Sequence, residues 1–249
     1  MEPISLSPSL VDRAFAVGSR LYERAFPGPA RLGAPLQAAG HGDTPVVLVP
    51  GLGNDARFMA VWERSLQADG FRTFTFDDPA RGLGDIRTAA TRLASFAAGV
   101  QAATGSAYID VVGYSAGASV ARTWMQLDGG APAVRRMISL DGTWNGEDHS
   151  RLLRAIESTP IAGASLLKSV PPALLDLQPS SALQQELLHQ PRLPASVRLT
   201  SIYRSANATE GSVLGARNLP LRGSLGHLAV VRSSDNAYEA ARAALLESQ

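Results

Sequence analysis

The sequence predicts an α/β protein built on a mostly parallel, doubly wound sheet, with a small helical cap inserted in the second half of the chain. Short apolar segments alternate with helical segments, and a serine between two glycines lies where one such pair meets. A stretch with several prolines, residues 143–194, interrupts the alternation. Strands that alternate with helices are typical of βαβ units, whose parallel strands are covered by helices on both faces.

The predicted elements follow one another regularly. Residues 44–50 are a short apolar run of the kind expected for a strand buried on both faces. A glycine-containing turn at 51–55 leads into a helix at 56–68, and residues 71–76 alternate as a strand does. The later elements are a helix at 85–103, a strand at 107–112, a helix at 115–127, strands at 134–140, 197–203 and 216–221, and a helix at 235–246.

The interruption is interpreted as a cap or lid inserted into a single domain spanning residues 1–249. It is too short to be an independent domain and too long to be a simple crossover. Residues 180–187 have the pattern of a helix with a serine N-cap, which we expect to attach the cap to the body.

Composition excludes several classes of protein. The net charge is +1 with no basic run, so nucleic acid is not expected as a partner. The absence of cysteine excludes disulfides and a thiolate nucleophile. No segment has the length of apolar sequence that a membrane span needs. No apolar segment follows a basic start in the first 28 residues, so a cytoplasmic location is expected, with secretion as the alternative.

The segment Gly113-Tyr-Ser-Ala-Gly117 fits the pattern G-x-S-x-G. The pattern alone arises easily by chance, but here a strand-like segment precedes it and a helix-like segment follows it, which is the setting of a nucleophile elbow. A serine at such a sharp turn is strained, and side chains two positions away would collide. The helix that follows offers free N–H groups to a developing oxyanion. Ser115 is therefore the predicted nucleophile.

A nucleophilic serine needs a base, and His227 is the best candidate of the four histidines. It lies in a glycine-containing loop after the last predicted strand and before the final helix. Ligands of parallel sheets bind at the carboxyl ends of the strands, where both Ser115 and His227 are predicted to lie. The serine also precedes the histidine in the chain, as it does in hydrolases with a nucleophile elbow.

Four segments resemble bacterial lipases and esterases of the α/β-hydrolase fold superfamily. They are Pro45-Val-Val-Leu-Val-Pro-Gly-Leu-Gly53, Asp110-Val-Val-Gly-Tyr-Ser-Ala-Gly117, residues 199–207 and residues 219–228. The resemblance covers residues 44–246 and implies the α/β-hydrolase fold. It also implies an oxyanion hole formed by the backbone N–H groups of Leu52 and Ala116.

The third member of the triad is where the chain departs from these lipases. The resemblance places the acid at Asn207, where an asparagine stands instead of the usual aspartate. An asparagine favours the wrong histidine tautomer and costs about 10⁴-fold in kcat in a serine triad. Asp141 follows the strand next to the elbow strand, where some lipases place their acid, and Glu210 lies three residues beyond Asn207. The hypotheses are Asp141, Glu210 or no acid at all.

Three functions are compatible with these residues. The first is hydrolysis of medium- or long-chain carboxylic esters, without metal or cofactor because no cluster has ligand spacing. The second is an acyltransferase or thioesterase, and the third is an impaired hydrolase fold that binds a ligand. The expected partner is a small acyl ester, with transient contact to a lipid interface. Apolar segments at 160–167 and 170–175 would either line an acyl pocket or attach the cap.

Overall fold

The computed structural model describes residues 44–150, 170–190, 192–223 and 225–247. Six strands within these residues form one sheet: β1 (Val46–Val49), β2 (Thr73–Thr75), β3 (Ile109–Tyr114), β4 (Val134–Leu140), β5 (Arg198–Arg204) and β6 (Arg217–Leu221). Their order in the sheet is β2-β1-β3-β4-β5-β6, and every neighbouring pair is parallel. All their carboxyl ends therefore lie along one edge of the sheet.

Helices cover both faces of the sheet, which confirms the predicted doubly wound architecture. The α-helices are α1 (Ala56–Ala68), α2 (Ile86–Thr104), α3 (Ala116–Leu127), α4 (Pro172–Asp176), α5 (Ala182–His189), α6 (Ala208–Gly211), α7 (Ala229–Arg232) and α8 (Asp235–Leu246). Buried side chains of α1 and α8 form one apolar core with the sheet, and those of α2 and α3 form a second core on the other face. Both faces of β1 are buried, which explains its uninterrupted apolar sequence.

Side-chain caps fix the start of most long helices. Asp55 Oδ1 accepts from Arg57 N–H at 3.1 Å, and Asp85 Oδ1 accepts from Thr88 N–H at 2.7 Å. Ser234 Oγ accepts from Ala237 N–H at 3.1 Å at the start of α8. Each cap supplies an acceptor to an N–H group that the helix cannot satisfy. The predicted bounds of α1, β4 and α8 coincide with the observed ones.

The other five predicted strands differ from the observed ones by one or two residues at one or both ends, and two of these differences have a structural reason. The strand predicted at 71–76 is reduced to Thr73–Thr75, because this edge strand pairs only with residues 46–48 of β1. The strand predicted at 107–112 is β3, and it continues through Gly113 to Tyr114, directly before Ser115. The sheet pairing of β3 with β4 includes Gly113 and Tyr114, so the elbow begins only at the serine.

The described parts of the segment predicted to be a cap contact α2 and α3. Asp176 at the end of α4 accepts from Ile86 N–H at 2.9 Å through Oδ2, and Arg87 forms an ion pair with Glu186 of α5. Ser181 is the N-cap of α5, as predicted, with its Oγ accepting from Gln184 N–H at 3.1 Å. The predicted apolar segment 160–167 lies outside the described residues. No helix in the described ranges is both long and apolar enough to cross a membrane.

Candidate active site

Ser115 lies at the sharp turn between β3 and α3. Its backbone has φ 53° and ψ −128°, a region that is costly for a residue with a side chain. Although Ser115 occupies the N-cap position of α3, its hydroxyl makes no capping hydrogen bond. The hydroxyl instead contacts His227, as described below, so the turn holds the serine side chain outside the helix. The serine is 7% exposed.

The two glycines of the motif are required by close packing around the elbow. A Cβ on Gly113 would lie 2.7 Å from Ala118 Cα. A Cβ on Gly117 would lie 2.5 Å from the carbonyl oxygen of Pro50 and closer still to that of Val49. These neighbours are backbone atoms of α3 and of the end of β1, which cannot move aside cheaply. The elbow therefore packs directly against the end of β1.

His227 connects the serine to a carboxylate. It lies in the loop between β6 and α7, with Nε2 2.9 Å from Ser115 Oγ and Nδ1 2.6 Å from Asp141 Oδ2. A carboxylate can only accept hydrogen bonds, so the proton belongs on Nδ1 and Nε2 is left to accept from the serine hydroxyl. The imidazole stacks on Tyr114 with centroids 4.9 Å apart, and the Tyr114 hydroxyl donates to the His227 carbonyl at 3.1 Å.

Asp141 is fully buried directly after β4, in a turn with φ 44°. Its N–H donates to Ile202 O at 2.6 Å, and two residues later Thr143 N–H donates to the Ser115 carbonyl at 3.3 Å. These backbone contacts join the turn to β5 and to the elbow. The position of the carboxylate is thus fixed by the same elements that hold the serine.

The carboxylate of Asp141 accepts from two further residues at the end of β5. Arg204 donates its backbone N–H to Oδ1 at 3.1 Å and its Nε–H to Oδ2 at 2.5 Å. Asn207 donates its Nδ2–H to Oδ1 over 3.4 Å. Burial alone would raise the pKa of Asp141, but the hydrogen bonds from His227 and Arg204 outweigh it and hold this pKa below its ordinary value.

Of the three acid hypotheses, the structure brings Asp141 to the imidazole. Asn207 lies beside the Asp141 carboxylate, on the oxygen that does not contact His227. Glu210 lies in α6, where its carbonyl accepts from Asn145 N–H at 3.1 Å. The sequence patterns do not identify Tyr114 and Arg204 as functional residues. The signals available were the position of Tyr114 inside the motif and that of Arg204 directly after a predicted strand.

The turn after β1 lies against the elbow. The position of a Cβ on Gly51 would be only 2.7 Å from Ser115 Cβ, so the backbone before Leu52 passes next to the serine. Arg81 holds the turn, because its carbonyl accepts from Gly53 N–H at 2.8 Å and its Nη2 donates to Gly53 O at 3.1 Å. Ala116, the other predicted oxyanion residue, is the first residue of α3. In the described residues, neither Leu52 N–H nor Ala116 N–H takes part in a backbone hydrogen bond.

The fold and the elbow are those of an α/β hydrolase. A model of the alpha/beta hydrolase family matches residues 46–247, and the chain belongs to this family. No curated protein matches the sequence. In the parts of the chain that the structure describes, no group of three or more His, Asp or Glu residues could hold a metal ion.

Solved structures with a similar fold include lipases. The lipase BlEst2 of Bacillus licheniformis matches in its propeptide form with 16% identity and a TM-score of 0.66, over 86% of this chain and 53% of that one. Its mature form matches with 17% identity and a TM-score of 0.60, over 80% and 91% of the two chains. The putative non-heme bromoperoxidase BpoC of Mycobacterium tuberculosis matches with 19% identity and a TM-score of 0.52, over 82% and 90%. The chain thus spans about half the length of the propeptide form, and identities this low establish the fold alone.

Proposed function

We propose that this protein is a serine hydrolase that cleaves carboxylic esters through an acyl-enzyme. The observation that supports the proposal is the continuous hydrogen-bond chain from Ser115 Oγ through His227 to Asp141, with distances of 2.9 and 2.6 Å. The three residues come in the order Ser, Asp, His along the chain, and each follows a different strand of the sheet at its carboxyl end. The similarity in fold to a lipase is consistent with it.

The proposed reaction begins when His227 Nε2 takes the Ser115 proton while Oγ attacks the ester carbonyl. The tetrahedral intermediate collapses, the imidazolium gives its proton to the leaving alcohol, and an acyl-serine remains. Water then attacks the acyl-serine as His227 takes its proton, and the second tetrahedral intermediate collapses. The imidazolium returns the proton to Ser115 Oγ as the bond to the acyl carbon breaks, and the carboxylic acid is released. Asp141 keeps the imidazole in the required tautomer and stabilises the imidazolium.

The negative charge of the tetrahedral intermediate would be stabilised by the N–H groups of Leu52 and Ala116. Leu52 follows Gly51, which lies against Ser115, and Ala116 opens α3, where the helix dipole favours negative charge. Such donors are effective because they are already oriented before the reaction. The hold that Arg81 has on the turn, through its contacts with Gly53, would keep the Leu52 donor in place.

The hypothesis of an impaired, ligand-binding hydrolase fold loses its support. It depended on the asparagine at position 207, whereas Asp141 is the residue that meets His227 Nδ1.

The acyl group is proposed to be of medium or long chain. In the cap, α4 brings the exposed Leu175 beside buried Ala173 and Leu174. Asp176 attaches α4 to the start of α2, and Ala173 N–H of α4 donates to Leu83 O at 3.4 Å. Leu83 lies two residues after Arg81, which contacts the turn that carries Leu52, so α4 lies near that turn.

The experiment that tests the proposal is labelling of the purified protein with a fluorophosphonate probe. The wild type should label at Ser115, Ser115→Ala should not label, and His227→Ala should label much more slowly. Ser95→Ala and His189→Ala are matched controls, because both side chains are exposed on helices away from the site and should leave labelling unchanged. A folded wild-type protein that does not label would contradict the proposal.

The substrate is then tested with p-nitrophenyl esters of increasing chain length. A maximum of kcat/KM at medium or long chains is expected if the cap lines an acyl pocket, and a maximum at acetate would contradict that assignment. Adding alcohol or thiol acceptors and following the products distinguishes transfer from hydrolysis, because both reactions pass through the same acyl-serine. Hydrolysis is expected to remain the main reaction.

A further inference from the structure

The guanidinium of Arg204 shares an acceptor oxygen with the imidazole of His227. Asp141 Oδ2 lies 2.5 Å from Arg204 Nε and 2.6 Å from His227 Nδ1. Arg204 also donates its backbone N–H to the other oxygen, Oδ1, at 3.1 Å. One residue therefore contacts both carboxylate oxygens from the end of β5, which fixes the plane of the carboxylate relative to the imidazole.

We propose that Arg204 is a positioning residue of this site, which orients the Asp141 carboxylate toward His227 and extends the activity to lower pH. The inference rests on the function proposed above. The triad residues do not by themselves require an arginine at position 204, since a neutral donor there could also hydrogen-bond the carboxylate without adding a charge.

The reason is electrostatic. An arginine stays protonated at every pH at which the enzyme would work, so its positive charge is always present beside Asp141. That charge offsets part of the carboxylate charge that would otherwise stabilise a protonated His227. It also disfavours the imidazolium directly. Because Asp141 is fully buried and Arg204 is only 21% exposed, solvent screens the interaction between these two charges weakly.

The effect on Asp141 has the same direction. The cation makes this carboxylate harder to protonate, so the acid of the triad stays ionised as the pH falls. Both effects extend the activity to lower pH, and neither opposes the other. The removal of the charge therefore has a single expected sign, which is a shift of the acidic limb of the rate profile to higher pH.

Among the residues that the structure describes, the other groups around the pair do not provide a second charge of this kind. Tyr114 of β3 faces His227 with its ring, and Asn207 faces Asp141 with a neutral amide. Arg232 of α7 stacks over Phe58 at 5.0 Å, and Phe58 stacks on Tyr114, so two aromatic rings separate this cation from the imidazole. Within the described residues, Glu210 of α6 forms no ion pair with Arg204 or His227.

The test is the pH dependence of kcat/KM for a p-nitrophenyl ester from about pH 5 to about pH 9, followed at the isosbestic wavelength of the released p-nitrophenol. In Arg204→Gln, which keeps a donor but loses the charge, the acidic limb should move up by about one pH unit. In Arg204→Lys, which keeps the charge but loses the planar geometry, the plateau should fall while the limb stays in place. Arg72→Gln, exposed at the opposite edge of the sheet, is the control for loss of an arginine.

An acidic limb that stays in place in Arg204→Gln would overturn the proposal, and so would a limb that moves equally in Arg204→Lys. If Arg204→Gln does not fold, Arg204→Met is the second neutral variant, and an acidic limb that stays in place in Arg204→Met would overturn the proposal. Failure of the proposed function would be visible separately, as a wild-type protein that does not label at Ser115.

Discussion

Asn207 donates a hydrogen bond through Nδ2 to Oδ1 of Asp141 over 3.4 Å. The resemblance to lipases had placed the triad acid at position 207, at the end of β5. In the structure that position supports a carboxylate on the neighbouring strand β4, and it does so from the side away from His227. An asparagine suits this role, because an aspartate there would bring a second negative charge against a buried carboxylate.

We expect Asp141→Asn to lower kcat by about 10⁴-fold, because the amide would stabilise the wrong tautomer of His227. Asn207→Ala removes only a long, weak hydrogen bond to the same carboxylate and should lower kcat by less than about tenfold. The measurement is kcat and KM of the three proteins on one p-nitrophenyl ester.

Glu210→Gln is the matched control for Asp141→Asn, since it also converts a carboxylate to an amide within the same region of the fold. Its kcat should equal that of the wild type. A large loss in Glu210→Gln, or a small one in Asp141→Asn, would show that the acid assignment is wrong.

The fold was predictable because it depends on periodic patterns. A strand buried on both faces, such as β1, needs continuous apolar sequence, and that need is visible without tertiary information. The bounds of β2 were less accurate, because an edge strand ends where its partner ends rather than where its own pattern stops. Sequence patterns carry no information about that pairing.

The meeting of Ser115, His227 and Asp141 was predictable for a different reason, which is that the carboxyl ends of parallel strands share one edge. The choice among Asp141, Glu210 and no acid required tertiary structure, because all of these residues are close to that edge. Arg204 and Tyr114 could not be recognised from patterns. Their roles depend on contacts between side chains from four separate parts of the chain.

The pKa of Asp141 predicts how stability depends on pH. Its folded-state pKa lies below its unfolded value, so the ionised carboxylate stabilises the folded protein at any pH above about 4. That contribution is lost as the pH falls through the lower, folded-state pKa. Urea unfolding of wild type and Asp141→Asn should therefore differ most near neutral pH and converge below about pH 4. A constant difference across this range would show that the charge of Asp141 does not contribute to stability.

The hydroxyl of Tyr114 is expected to contribute to catalysis by fixing the loop that carries His227. Tyr114→Phe keeps the stacked ring but loses the 3.1 Å hydrogen bond to the His227 carbonyl. A bond of this type contributes about 1 kcal/mol, so kcat should fall roughly fivefold while KM stays constant. Tyr108→Phe is the control, because the Tyr108 side chain is half exposed and far from the site. Equal kcat values for both variants would contradict this role.

A methyl group at position 117 should be costly, and the same methyl group at position 99 should be favourable. In Gly117→Ala the new Cβ would collide with the carbonyl oxygens of Val49 and Pro50, which belong to the end of β1 and cannot retreat without disturbing the Leu52 turn. We expect a loss of about 3 kcal/mol in the free energy of unfolding, together with a loss of activity.

Gly99 provides the matched comparison, because it lies inside α2 with no atom within 4 Å of the position that a Cβ would take. Alanine has the higher helix propensity, so Gly99→Ala should stabilise the protein by about 0.5–1 kcal/mol and leave activity unchanged. Urea unfolding of the three proteins measures both effects. Both variants add the same atom to a helical glycine. Changes of opposite sign in the free energy of unfolding would attribute the cost at position 117 to contact between the elbow and β1. Changes of equal sign would contradict that explanation.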